Sequence, residues 1–305
     1  MKQVFPSYYK DFRCIAGDCR HSCCIGWEID VDADTMEVYR NFPDILRHID
    51  TTADPAHFRL TGDERCPFLN ECGLCEIIVH HGEDHLCQIC DDHPRFRNFF
   101  GNRTETGLGL CCEAAAELIL GCPDKVTLDV TGSGGDSGNE REFFALRGQL
   151  FAIAQNRDLP VHDRMREMLT FADAVLPERS MTEWAEYYMG LECLDPARDE
   201  VLSRITDSVP FPEEKFSTAL EQLLVYFIYR HLAPAAEDGM FAARTAFAVL
   251  STRMVCAMAS AIAENGEITF GDLTEAARLY SSEIEYSEEN MDDLLWELDD
   301  LQEFR

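Results

Sequence analysis

The chain has 305 residues, 46% of them hydrophobic, which is enough to bury one large core or two modest ones. Its 26 basic and 57 acidic residues leave a formal net charge of −31. A surface this negative repels phosphate backbones and anionic lipid, which argues against nucleic-acid and membrane partners and for cationic ones.

The opening MKQVFPSYYKDF lacks the apolar run of about 7 to 15 residues that a secretory signal carries, and no segment reaches the roughly 18 uninterrupted apolar residues of a membrane span. A cytoplasmic protein is expected, where clustered thiols are read as metal ligands before disulfides. In chain order, CIAGDCRHSCCIGW (residues 14–27) brings Cys14, Cys19, Cys23 and Cys24 together. IGWEIDVDADTMEVYRNF predicts a short extended piece entering a helix, with Asp32 or Asp34 as its cap. Next, RCPFLNECGLCEIIVHHGEDHLCQICDDHPRF (65–96) carries Cys66, Cys72, Cys75, Cys87 and Cys90. Its two C-x-x-C pairs, Cys72/Cys75 and Cys87/Cys90, have nearly the spacing of a zinc ribbon. His80, His81, His85 and His93 lie among them and could ligate, although histidines so placed more often support ligands or face solvent.

After Cys111, Cys112 and Cys122 the composition changes. The stretch TGSGGDSGNERE (131–142) has the make-up of a flexible connector. VTLDVTGSGGDSG imitates the glycine-rich loop of a dinucleotide fold, but the segments that follow lack the alternating strands such a fold requires. Helical patterns occupy 140–155, 161–176 and 181–192. In FSTALEQLLVYFIYRHL, Phe216, Leu220, Leu223, Leu224, Phe227 and Ile228 share one broad face. MFAARTAFAVLSTRMVCAMASAIAENG predicts a long helix stopping near Gly266, and Thr269 with Asp272 predicts a capping pair for the next. The expected fold is mainly α: a cysteine-rich metal-binding module with little regular strand over 1–125, a linker over 126–142, and an all-α bundle over 143–305.

Thiolate is a soft ligand suited to zinc and iron–sulfur clusters, usually four to a site, so the front cysteines could serve one to three sites. Adjacent Cys23 and Cys24 cannot easily both reach one tetrahedral zinc, but they can serve two irons or two neighbouring centres. Cys122, Cys193 and Cys256 are read as inert thiols. The C-x3-C-x2-C pattern of radical S-adenosylmethionine chemistry is excluded, because Cys19 and Cys23 supply its first interval but Gly26 stands where the third cysteine is needed.

PSYYKDFRCIAGDCRHSCCIGWEID, RCPFLNECGLCEI and LCQICDDHPRFRNFFGNRTETGLGLCCEAAAELIL together resemble the flagellin lysine-N-methylase family. The likeness continues through VYFIYRHL, RTAFAVLS and ARLYSSEIEYSEEN. It implies transfer of a methyl group from S-adenosyl-L-methionine to lysine side chains of flagellin. It also implies an iron–sulfur cluster, or alternatively zinc, held by Cys14, Cys19, Cys23, Cys24, Cys66, Cys75, Cys87, Cys90 and one of Cys111 and Cys112, with ungapped matching favouring Cys112. Cys72 falls outside the family pattern, which removes a ligand from the zinc-ribbon reading. His93 stands where the family has tyrosine, and the proline and glutamate expected after the Cys111–Cys112 pair are shifted or absent. The resemblance identifies no catalytic or donor-binding residue. Tyr226, Tyr229, Arg230 and His231 could line a pocket, but hydrogen bonding at the edge of the core is their plainer reading. The ten acids of 281–305 could steer a lysine-bearing substrate or simply be a solvated helix face. The competing function is a non-catalytic zinc- or iron-binding module with a helical platform for a partner.

Overall fold

The computed structural model describes residues 1–208, 211–263 and 266–303. The chain forms two compact units, one of Met1–Phe12, Arg97–Cys111 and Ala115–Arg305 and the other of Arg13–Phe96 and Cys112–Ala114. These divisions differ from the expected 1–125 and 143–305, because strand pairing assigns front residues to the helical unit. The chain starts in that larger unit with strand β1 (Lys2–Pro6).

The smaller unit is built from short elements: α1 (Ala33–Tyr39), α2 (Pro43–Leu46), the antiparallel pair β2 (Ile49–Asp50) and β3 (His57–Phe58), α3 (Glu76–His81) and α4 (Gln88–Asp92). Asp32 is the cap of α1, its Oδ1 accepting from Thr35 N at 2.9 Å. Its Oδ2 accepts from Gln88 N at 2.8 Å, so one carboxylate orders the starts of two helices. Ile29, Val31, Tyr39, Ile45, Ile49, Phe58, Phe68 and Ile77 form the core, and the thiols of Cys66 and Cys87 are buried among them.

The larger unit contains a four-stranded sheet that the sequence pattern did not reveal. The chain returns along β4 (Arg95–Phe99) and turns into β5 (Arg103–Leu108), then passes through α5 (Glu113–Leu120) to β6 (Leu128–Gly132). Strand order is β4-β5-β1-β6. β1 runs parallel to β5, with Val4 opposite Glu105, and antiparallel to β6, with Lys2 opposite Gly132 and Pro6 opposite Leu128. Thus β6 occupies part of the expected linker: Val130 and Thr131 favour extended backbone. Gly132 then takes φ +74° where a Cβ would meet Met1 O at 2.5 Å. An antiparallel edge strand at this point also removes the dinucleotide-fold reading of the glycine-rich loop.

The helices follow as α6 (Gly138–Ala154), α7 (Val161–Phe171), α8 (Met181–Met189), α9 (Ala197–Leu202), α10 (Ser217–His231), α11 (Ala235–Asp238), α12 (Phe241–Ile262), α13 (Phe270–Tyr280) and α14 (Glu288–Glu303), with one π-helical turn at Ser281–Glu285. Ser137, Ser180 and Thr269 each close a capping box with the residue three positions on. α10 is buried nearly all round, Glu221 and Gln222 included, and does not present the single apolar face expected of it. α12 is long and apolar enough to cross a membrane by length and composition, yet most of it is buried here against α10, α13 and α14. The last two of the 281–305 positions lie outside the described residues, as do two just before Gly266.

Buried ion pairs tie sheet to helices. Glu105 on β5 is fully buried and accepts two hydrogen bonds from Arg147 on α6, each 2.6 Å, with Arg103 also paired to it. Glu221 on α10 likewise accepts from Arg157 Nε at 3.0 Å and Arg164 Nη1 at 3.1 Å.

Candidate functional site

The predicted ligands fall into two sets within the smaller unit. Cys24, Cys75 and Cys90 pack against the core that already contains Cys66 and Cys87. Cys66 N donates to Cys24 O at 2.8 Å, and Cys75 lies in a bridge with Leu69. Cys87 Sγ and Cys90 Sγ are 3.3 Å apart, Cys87 donating. Burial raises the Cys66 thiol to about 12, with nearby Cys24, Cys75 and Cys87 adding to the effect. The thiol of Cys75 is raised by the same cause.

The second set is Cys14, Cys19, Cys23 and Cys112. Cys23 feels the charges of Cys14 and Cys112, and Cys19 that of Cys112. Glu113 ties the segment of Cys112 to Arg20, next to Cys19. Its carboxylate accepts from Arg20 N at 2.9 Å and Arg20 Nε at 2.6 Å, and lies 3.7 Å from Cys19 Sγ. Burial and the Glu113 carboxylate raise Cys19 to about 11. The two sets touch at Cys23 and Cys24. Hydrogen bonding between these thiols raises Cys23 and lowers Cys24 to about 7.

Cys111 takes a different course, because it belongs to the larger unit while Cys112 belongs to the smaller. Cys72 is exposed on a turn closed by Asn70, whose Oδ1 accepts from Cys72 N at 2.9 Å. Of the histidines, His81 Nε2 pairs with Asp44 Oδ2 at 2.9 Å, and His80 lines a cavity of about 240 Å³ with Asp44, His48 and Glu76. The His85 carbonyl accepts from Tyr39, and burial lowers His93 to about 4. Cys122 and Cys193 lie in the larger unit, and Cys256 is buried in α12.

In number and softness these thiols fit zinc or an iron–sulfur cluster: each set offers at least four sulfur donors, and several lie in or against the apolar core. Among the described residues no three His, Cys, Asp or Glu side chains are already gathered into a shell that could hold one ion. Ligation would therefore require thiols to deprotonate and swing inward.

A second polar centre lies in the larger unit, around the π-helical turn, where such turns often mark functional sites. Arg230 Nη1 donates to Tyr226 Oη at 2.8 Å, and Tyr226 donates to Glu285 Oε2 at 2.9 Å. Leu110 N also donates to Tyr226 Oη, at 3.2 Å. Glu285 Oε1 is hydrogen-bonded by His231 Nε2 and lies 3.6 Å from Arg230 Nε. Burial pulls the Glu285 carboxyl upward, but the charge of Arg230 and the contacts of His231 outweigh it and hold the group at about 2. Tyr286, the next residue, leaves its ring half exposed beneath the Arg230 guanidinium, 4.9 Å from the ring centre, while its hydroxyl meets Cys111.

Tyr226, Tyr229, Arg230 and His231 are therefore hydrogen-bonded core groups, as their plainer reading held; Tyr229 donates toward Val4 O at 3.0 Å. Sequence reasoning missed Glu285, Tyr286 and Glu113. Glu285 sits in ARLYSSEIEYSEEN, but a π turn inserts a residue that a 3.6-residue period does not register. Gly109 shapes the same corner, since a Cβ there would lie 2.6 Å from Tyr286 Oη and 3.1 Å from Arg230 Nη1. Gly109→Ala is expected to cost about 1 to 3 kcal/mol in denaturant unfolding by displacing those groups.

Fold and site define a helical protein with a small mixed sheet, a thiol-rich unit, and a buried Arg–Tyr–Glu–His network beside a π turn. Residues 200–305 match the FliB lysine N-methylase C-terminal domain. The chain is 28% identical over 136 residues to lysine-N-methylases of Salmonella choleraesuis and Salmonella typhimurium, covering 40% of this chain and 33% of each relative. It is 27% identical over 136 residues to the flagellar biosynthetic protein FliU of Salmonella muenchen, covering 79% of that protein. These matches bear out the resemblance to the flagellin lysine-N-methylase family at modest identity, and the chain aligns with about a third of the length of the two methylases. No solved structure matches it.

Proposed function

We propose that the protein is an S-adenosylmethionine-dependent methylase that N-methylates lysine side chains of flagellin in the cytoplasm and carries a cysteine-ligated centre, iron–sulfur or alternatively zinc. The observation that carries this reading is the match of residues 200–305 to the lysine N-methylase C-terminal domain. That segment also contains Tyr226, Arg230, His231, Glu285 and Tyr286.

In such a reaction the sulfonium methyl carbon forms a bond to the lysine nitrogen as its bond to sulfur breaks. Lysine has a pKa near 10.4, so the amine must shed a proton before it can attack, and burial in an apolar or positively charged setting helps it to do so. The net charge of −31 favours encounter with a lysine-bearing partner. The transfer itself needs no metal, so the thiol centre is assigned a structural or regulatory role. It would be held by Cys14, Cys19, Cys23, Cys24, Cys66, Cys75, Cys87, Cys90 and Cys112.

Incubation with S-adenosylmethionine and flagellin from its own bacterium is expected to add increments of about 14 Da to flagellin lysines, read by intact mass. Unchanged flagellin in the presence of metal-replete protein would instead favour the non-catalytic metal-binding module. If metal removed anaerobically takes all turnover with it while the fold persists, the assignment of a structural role fails.

A further inference from the structure

We propose that the solvent face of α14, with Trp296 at its centre, is the surface on which a lysine-bearing segment of the polypeptide substrate docks. This rests on the proposed methylase reading and deepens it by giving the substrate a place.

α14 has two unlike sides. Leu294, Leu295 and Leu298 are buried within the larger unit. On the other side Glu289, Asp292, Asp293, Trp296, Asp299 and Asp300 recur at intervals of three and four, which aligns them in one stripe. Trp296 is 67% exposed, whereas Trp184 is fully buried. Large rings of this kind ordinarily fill a core or anchor the centre of a binding surface. Two aspartates precede the indole by four and three residues, and two follow it by three and four, each with its Cβ about 5 to 6 Å from that of Trp296. Glu297, on the flank of the stripe, is paired with Arg179 at 2.6 Å. Among the described residues, none of the five acids in the stripe is paired with Lys, Arg or His. The last turn carries no basic residue either, so Asp300 meets the negative end of the helix dipole uncompensated. For the helix alone, this placement of charge is unfavourable.

A cation bound from outside would relieve it, and a lysine side chain fits. Its four-carbon stem can lie along the indole, with the ammonium within about 6 Å of the ring centre, drawn by the negative face of the ring and by the flanking carboxylates. A second copy of this chain would set the same acidic stripe against itself, and nucleic acid or anionic lipid would be repelled. Trp296 in this role touches the bound segment and not the reacting atoms.

The test is isothermal titration of the full chain with monomeric flagellin in the absence of methyl donor. Trp296→Ala is expected to weaken binding about tenfold, and Trp296→Phe by less, because a ring remains. Asp292→Asn, Asp293→Asn, Asp299→Asn and Asp300→Asn together should weaken binding at low salt and flatten its salt dependence. The thermal midpoint of that variant should be equal or higher, since uncompensated acids are removed from the helix. Weaker binding without lost stability is a result that a structural role would not give. Flagellin with acetylated lysines should bind the unaltered chain no better than unmodified flagellin binds Trp296→Ala. Unchanged affinity of Trp296→Ala, equal binding of acetylated flagellin, no binding by the unaltered chain, or self-association of the chain that Trp296→Ala abolishes overturns the proposal. Methyl transfer is not read in this assay, so flagellin that binds through Trp296 without gaining mass leaves the docking surface standing. Flagellin methylated with an unchanged KM by Trp296→Ala removes the surface and keeps the methylase reading.

Discussion

Glu285→Ala is expected to destabilise the larger unit by about 3 to 5 kcal/mol, because it leaves the guanidinium of Arg230 and the hydroxyl of Tyr226 without their shared acceptor in a buried site. For a unit of this size that lowers the thermal midpoint by roughly 10 °C. The variant should also change the acid limb. In the native protein the Glu285 carboxyl is held at about 2, below its ordinary 4.5, mainly by Arg230 working against burial. A depressed acid stabilises the fold where it is ionised. Its contribution is therefore complete above about pH 4.5 and disappears as pH falls toward 2, amounting to about 3 kcal/mol at about 1.4 kcal/mol per pH unit. Unfolding free energies measured between pH 2 and 6 should show this loss in the native protein and not in Glu285→Ala. Equal slopes for the two proteins would remove Glu285 from the account.

Glu105→Ala should have a comparable effect for a different reason. Arg147 is almost wholly buried on α6 and its guanidinium forms a fork with the Glu105 carboxylate. Removing the carboxylate leaves a buried cation beside β5 and costs about 3 to 5 kcal/mol. Replacing Glu105 and Arg147 together, as Glu105→Leu with Arg147→Met, should recover the part of that loss owed to Arg147, while Arg103, also paired to Glu105, still loses its acceptor. Urea unfolding of the two single variants and the double variant checks this. A double variant no more stable than Glu105→Ala would show that the pair contributes chiefly its net attraction.

The helices were legible because their signals are local. Asp32, Thr269 with Asp272, and the apolar spacing around Leu220–Ile228 each act within a few residues of themselves. The sheet was not, because β1 and β5 pair residues 101 positions apart, Lys2 with Arg103 for example, and β6 is mostly exposed, with little apolar alternation. The thiol site was legible as a set of candidates from spacing and resemblance. The tie between the Cys112 segment and Arg20 depends on Glu113, whose contacts only the folded chain makes visible. The Arg230–Glu285 network stayed hidden for a similar reason, since its acid comes from a π turn more than fifty residues away.

The smaller unit is inserted between Phe12 and Arg97 and recruits three more residues, Cys112–Ala114, from further along. Neither unit can therefore be excised by a single cut. A fragment ending near residue 125 would leave β1 without its antiparallel partner β6, and one beginning near 143 would have none of the four strands. The insertion also affects assembly: parallel pairing of β1 with β5 must close a long loop, and prior folding of the inserted residues shortens the effective length to be closed. Any agent that orders the thiol-rich unit would thus be expected to hasten formation of a sheet to which it contributes almost no strand.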